Sequence, residues 1–267
     1  MWPEWWSAEG IKLTQRPLAW TIFAFSYCAI MIIVGLYLLY KGIKLRRGSL
    51  KILGFAIFIV GFNDTFHGLA IEGARAVGTT HIPGEFPVIP TAAMISIVVF
   101  CIFQLLLITW KYKALKKPIN KFGWFSYLFG LITIILVILP YNWWLLEPPE
   151  GAINTRPITG TFLLILGILV AIHLIGYYRE KISRTEELKP VTKVLLRIFL
   201  VGTFLLIISI LLVILHGMFQ ALGLPEIALT IITAIKLGFL IISVILYTLS
   251  LVPPHRFLMW LSARVKS

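Results

Sequence analysis

The sequence predicts an all-α integral membrane protein: a bundle of seven transmembrane helices, N-terminus outside and C-terminus cytoplasmic. Three observations predict it. Of 267 residues, 59% are hydrophobic and 13% charged, with a mean hydropathy of +0.95, whereas a water-soluble domain carries about 25% charged residues. Seven mostly apolar stretches reach the ~20 residues a helix needs to cross a bilayer. The basic residues collect between alternate stretches. A barrel is excluded because its strands are about 10 residues of alternating polarity. Disorder is excluded by the aromatic and branched-aliphatic content. A disulfide-stapled fold is excluded by having two cysteines, Cys28 and Cys101, both inside apolar runs.

The elements follow in order. Residues 1–17 hold Trp2, Trp5 and Trp6 with Glu4 and Glu9, and lack the basic start and cleavage site of a signal peptide. They read as an outer interfacial segment. The seven-helix domain runs over 18–251. Span one is 18–40 and span two 52–72. The connection 73–88 contains Gly78, His81, Pro83, Gly84 and Pro87 and reads as an irregular outer loop. Span three is 89–110 and span four 122–140. The connection 141–158, with Pro148, Pro149, Gly151 and Pro157, is a second such loop. Span five is 159–178. The mixed charges of RTEELKP (184–190) extend a helix into the cytoplasm. Span six is 196–220, span seven 226–251, and 252–267 is a cytoplasmic basic tail. No internal repeat supports an inverted-repeat transporter.

Charge sets the orientation. Nineteen Lys and Arg follow spans one, three, five and seven, such as Lys41, Lys111, Arg179 and Arg256. The other side holds Lys12, Arg16, Arg75 and Arg156. Basic loops stay cytoplasmic, which makes the chain a multi-pass protein of the cell membrane. The net charge of +13 is therefore spread over short loops beside apolar spans, facing anionic lipid, and nucleic-acid binding is excluded as a role. The expected partners are the bilayer and a cytoplasmic or membrane protein docking on the basic inner loops. All nine tryptophans fall at or near predicted span ends, where indole favours the headgroup zone. Four Asn and three Gln, with abundant Ile and Lys, suggest a thermophile source.

The informative residues are polar ones inside spans. Asp64, the only aspartate, falls in span two, and Lys236, the only Lys or Arg deep within a span (Arg197 stands at the very start of span six), falls in span seven. At 1.5 Å per residue they lie roughly 12 and 15 Å below the outer ends of their helices. A lone charge at that depth costs at least about 2.5–3.5 kcal/mol, so the two are expected to pair, with spans two and seven as neighbours. Asn63, Asp64 and His67 share a face of span two. Thr233, Lys236, Ser243 and Tyr247 recur at a period near 3.5 along span seven, and Ser209, His216 and Gln220 share a face of span six. Together they are expected to line an outward-facing polar pocket. His67 and His216, each roughly 6–8 Å below the outer surface, could also ligate haem b, or a metal with Asp64 or Glu72. His81 and Glu85 in the outer loop are further possible ligands. His173 in span five reads as a hydrogen-bonded core histidine.

Two resemblances follow. Seven spans with a mid-membrane Lys236 in the last one resemble the rhodopsin arrangement, which implies a retinal Schiff base on that lysine. Span three (IPTAAMISIVVFCIFQLLLITW) departs from that pattern, having neither carboxylate nor arginine, and span six has no tryptophan. The segment LYTLSLVPPHRFLMWL, Leu246 to Leu261, resembles the exit from the seven-helix membrane input modules of prokaryotic sensory proteins. That resemblance implies a signal received in the membrane and passed to a partner.

The expected function is a receptor-like or signal-relay module with the Asp64–Lys236 pair as its buried switch. The alternatives are a haem- or quinone-binding subunit of a redox complex and an ion or proton translocator. No catalytic constellation is present: the single Asp lies mid-membrane, and no Gly-rich phosphate loop or H-E-x-x-H occurs.

Overall fold

A computed structural model describes residues 18–77, 81–82, 86–138, 156–182, 190–221 and 226–266. The outer segment 1–17 and most of the connections 139–155 and 183–189 lie outside the described residues. The helices are α1 (Leu18–Lys44), α2 (Gly48–Val77), α3 (Val88–Leu115), α4 (Lys121–Ile138), α5 (Arg156–Ile182), α6 (Pro190–Ala221), α7 (Glu226–Leu251) and α8 (His255–Lys266). The first seven are long and apolar enough to cross a membrane, so the chain is a polytopic membrane protein.

Several helices outrun the apolar stretches that predicted them. Hydropathy marks where side chains prefer lipid, but the backbone must keep its hydrogen bonds through the headgroup zone as well. Thus α2 continues to Val77, α3 to Leu115, and α6 begins at Pro190 rather than 196. Proline suits a first helical position because its missing N–H would have no intrahelical partner there. The loop after α2 also differs from the expected irregular chain. His81–Ile82 (β1) and Phe86–Pro87 (β2) pair antiparallel, His81 opposite Pro87 and Ile82 opposite Phe86. The basic tail is helical over α8, set off from α7 by Pro253 and Pro254.

Neighbouring helices close a circuit. α1 packs on α2, α2 on α3, α3 on α5, α5 on α6, α6 on α7, and α7 returns to α1. α4 stands outside, against α3 and α5, and α8 touches α6. The tightest seam joins α1 to α2 through small residues. A Cβ on Gly54 would lie 2.6 Å from the Leu39 backbone nitrogen and 2.8 Å from the Gly35 carbonyl oxygen. Lipid offers no hydrophobic drive for helix pairing, so close backbone approach and van der Waals contact supply the attraction. α4 uses the same device: Gly123, Ser126, Gly130, Thr133 and Val137 form its buried stripe.

The turns after α1 and α3 are alike. Arg47 N–H donates to the Gly42 carbonyl at 2.9 Å and Lys117 N–H to the Tyr112 carbonyl at 3.0 Å. Both close over a left-handed residue, Arg46 (φ 50°) or Lys116 (φ 54°). That position usually holds glycine. These short links set α1 against α2 and α3 against α4 as antiparallel pairs. They define the basic end of the bundle.

An aromatic plug fills the circuit near that end. The Trp110 ring lies 4.7 Å from Tyr177, 5.5 Å from Phe199 and 6.3 Å from Tyr247, joining α3, α5, α6 and α7. Trp110 corrects the expectation that every tryptophan lies at the headgroups: it is 1% exposed. α3 runs five residues past it, so its indole is inside the bundle. Trp124, 63% exposed on α4, fits the interfacial expectation.

Gly54→Ala is expected to cost about 1–3 kcal/mol by forcing the α1–α2 backbones apart. Gly160→Ala, with nothing within 4 Å of its new methyl, is expected to be neutral or stabilising by up to about 1 kcal/mol. Thermal unfolding of both variants in one lipid mixture checks the contrast.

Candidate functional site

Five residues from four helices gather at one level. Tyr27, Asp64, Ser96 and Lys236 lie roughly 22–28 Å from the basic end by residue count at 1.5 Å per residue, and Asn63 sits beside Asp64. The Tyr27 hydroxyl of α1 donates to the Asp64 carboxylate of α2 at 3.1 Å. The Asn63 amide nitrogen reaches the second carboxylate oxygen at 3.4 Å and the Ser96 hydroxyl of α3 at 3.0 Å. Asn63 and Tyr27 are buried, Asp64 partly so. The glycine seam brings α1 close enough for a tyrosine to span the gap. An ionised carboxylate has room for several donors, and bonds to a charged acceptor are worth about 1.5–3 kcal/mol each.

Lys236 enters from α7. It and His67 lie within electrostatic reach of Asp64. Among the described residues Asp64 and Lys236 make no ion pair within 4 Å. Their helices are not face-to-face neighbours as expected; α1 stands in contact with both α2 and α7. Tyr27 therefore supplies the direct contact to Asp64 from the side where the lysine was expected.

The structure divides the polar set predicted for α6 and α7. The Ser209 hydroxyl donates to the Lys236 carbonyl at 3.1 Å, Ser243 to the Gly202 carbonyl at 2.8 Å, and Tyr247 to the Thr203 hydroxyl at 3.1 Å. Ser243 and Tyr247 are thus joints of the α6–α7 seam rather than pocket walls. Their spacing marks a helix contact, where hydroxyls serve as interhelical bonds. Thr233 sits one turn before Lys236, partly buried. The side chains of His216, Gln220, Glu72 and His81, and Glu85 altogether, lie outside the described residues. The haem and metal readings that need His216 therefore rest on sequence alone. Among the described residues no three His, Cys, Asp or Glu side chains gather closely enough to hold a metal ion.

Sequence reasoning missed two features. Gln104 of α3 is fully buried, and neither end of its amide has a hydrogen-bond partner among the described residues. It lies roughly 16 Å from the basic end, between the Asp64 cluster and the aromatic plug. A stranded amide in an apolar interior costs on the order of 1–3 kcal/mol. The signal was available, since Gln104 is the only amide side chain of span three.

The second is a directional chain nearer the basic end. The Lys111 ammonium contacts His173 Nδ1 at 3.1 Å, and His173 Nε2 contacts the Ser126 hydroxyl at 3.0 Å. Ser126 in turn donates to the Phe122 carbonyl at 2.9 Å. An ammonium only donates, so Nδ1 accepts, the proton sits on Nε2, and Ser126 receives it. The chain fixes one tautomer and ties α3, α5 and α4 together. His173 is thereby the bonded core histidine that the sequence suggested.

Tyr27→Phe keeps the ring and removes one donor to Asp64. It is expected to destabilise the protein by about 1.5–3 kcal/mol, and by less than about 0.5 kcal/mol when Asp64 is already Leu. A double-mutant cycle on thermal or denaturant unfolding measures the difference. No family model, no curated protein and no solved structure matches the chain, so its function is read from its own residues.

Proposed function

We propose that the chain is a receptor-like signal-relay module of the cell membrane, with the cluster around Asp64 as its responsive element and the basic end facing the cytoplasm. One observation carries this reading. A single carboxylate is bonded by α1 through Tyr27, is linked to α3 through Asn63 and Ser96, and lies within reach of Lys236 on α7. A proton, ion or polar ligand that changes the charge balance there alters the contacts of four helices at once. Membrane proteins keep such intramembrane charges rarely, and chiefly for function. The aromatic plug below supports a relay over an open pore, because its packed rings join α3, α5, α6 and α7 across the centre of the bundle. Output passes through the basic inner loops to a partner protein, in keeping with the sensory-module resemblance of Leu246 to Leu261. His67 sits beside the carboxylate and tunes its charge; Thr233, His216 and Gln220 belong to the same outer half.

An ion or proton translocator is the second reading, and Gln104 favours it. A bilayer-buried amide with no partner among the described residues is suited to a hydrated passage midway along the bundle.

Asp64→Asn and Lys236→Met, each in reconstituted bilayers, test the relay. Hydrogen exchange at residues 116–120 and in α8, some 20 Å from the substitution by residue count, is expected to change by at least about threefold with helical content intact. Unchanged exchange at the basic end in both variants overturns the relay. A proton flux in sealed vesicles that Asp64→Asn abolishes establishes the translocator instead.

A further inference from the structure

A crevice of about 290 Å³ opens at the basic end between the close of α3 and the start of α4. It is lined by Thr109, Tyr112, Lys113, Lys116, Lys117 and Ile119, with Pro118 at its edge. Its walls are held from several sides. The Tyr112 hydroxyl donates to the Asn120 side-chain oxygen at 2.5 Å, and that oxygen also caps α4 by accepting from Gly123 N–H at 2.8 Å. Thr109 is bonded to Tyr127 of α4. Lys117 pairs with Glu180 of α5 at 2.5 Å, bracing the turn against the bundle.

Two charges are left over. Lys113 and Lys116 line the crevice with no counter-charge among the described residues. Lys116 also occupies the left-handed position of the turn, at φ 54°. A side chain there is less favourable than glycine. The lysine is therefore held in a backbone conformation that favours another residue, and it lines the same crevice as Lys113.

The level of the crevice limits what can reach it. Trp124 and Phe125, both exposed, stand one turn into α4 at the depth where indole marks the headgroup zone. Beyond them Leu128, Leu131, Ile132 and Ile135 form an exposed apolar stripe along α4. A negative group seated between Lys113 and Lys116 thus lies at headgroup depth above a track for hydrocarbon chains. The volume is near the lower limit for small-molecule sites and suits a compact anion better than a large ligand.

We infer that the α3–α4 crevice binds a phosphate group through Lys113 and Lys116, the group belonging either to an anionic lipid headgroup or to a free phosphate anion. The test uses the full chain, purified in uncharged detergent, with two probes: inorganic phosphate and short-chain phosphatidylglycerol. Each is titrated against thermal unfolding, and bound molecules are counted by native mass spectrometry. One probe at least is expected to bind and to stabilise the wild type. Lys113→Gln with Lys116→Gly is expected to weaken that binding at least tenfold while the fold holds, since glycine relieves the turn. Arg46→Gly with Arg47→Gln removes equal charge from the other basic turn and is expected to leave binding intact. Stabilisation by the lipid alone assigns the site to a headgroup with its chains along α4; stabilisation by both assigns it to phosphate itself. Failure of the wild type to bind either probe overturns the inference, as does an equal loss in both double variants.

Discussion

One partly buried carboxylate constrains the half of this molecule away from the basic end. Asp64 sits where the bilayer would leave a charge at a cost of about 2.5–3.5 kcal/mol or more. The bonds it receives from Tyr27 and Asn63 are of the same order as that cost. The Tyr27 bond can form only if α1 lies close to α2, and that closeness depends on Gly35, Gly54 and Gly61 at the seam. Removing bulk from one helix face thus places a hydroxyl on another where a charge needs it. Asn63 then carries the same cluster to Ser96, so α3 is held by an amide rather than by packing alone.

The bundle below that level is built differently. Trp110, Tyr177, Phe199 and Tyr247 fill the centre with rings, and the polar groups nearby are joints between helices. Interiors packed in this way resist gradual deformation and move by switching between arrangements of whole elements. Under the proposed relay, a change at the Asp64 level reaches the basic end through displaced helices. The Lys111–His173–Ser126 chain binds α3, α5 and α4 together toward the basic end.

Most of the fold was legible in the amino-acid sequence because hydrophobic length and loop charge are strong, local signals. The seven spans, and Asp64 with Asn63 on one helix face, came directly from them. Which helices touch was not legible. Asp64 and Lys236 share a depth, and depth suggested direct contact, but the neighbour of a helix depends on small residues whose role is visible only in pairs. Tyr27 was overlooked because tyrosine in an apolar span carries no sign of a buried hydroxyl partner. Ser243 and Tyr247 misled for the related reason that a periodic polar stripe looks the same whether it faces a pocket or a neighbouring helix. Trp110 was misplaced because counting from the end of an apolar run underestimates how far the helix continues.

Among the described residues α4 is the shortest of the seven long helices, 18 residues or about 27 Å, and it stands outside the circuit. The other six run from 26 to 32 residues, well beyond the ~30 Å hydrocarbon layer. Those longer elements can be accommodated by projecting into the aqueous phase, whereas the described part of α4 is close to the thickness of the layer itself. Its apolar face must match the thickness of the layer that surrounds it. A thicker or thinner membrane bears directly on that segment, and through it on the contacts that α4 makes to α3 and α5.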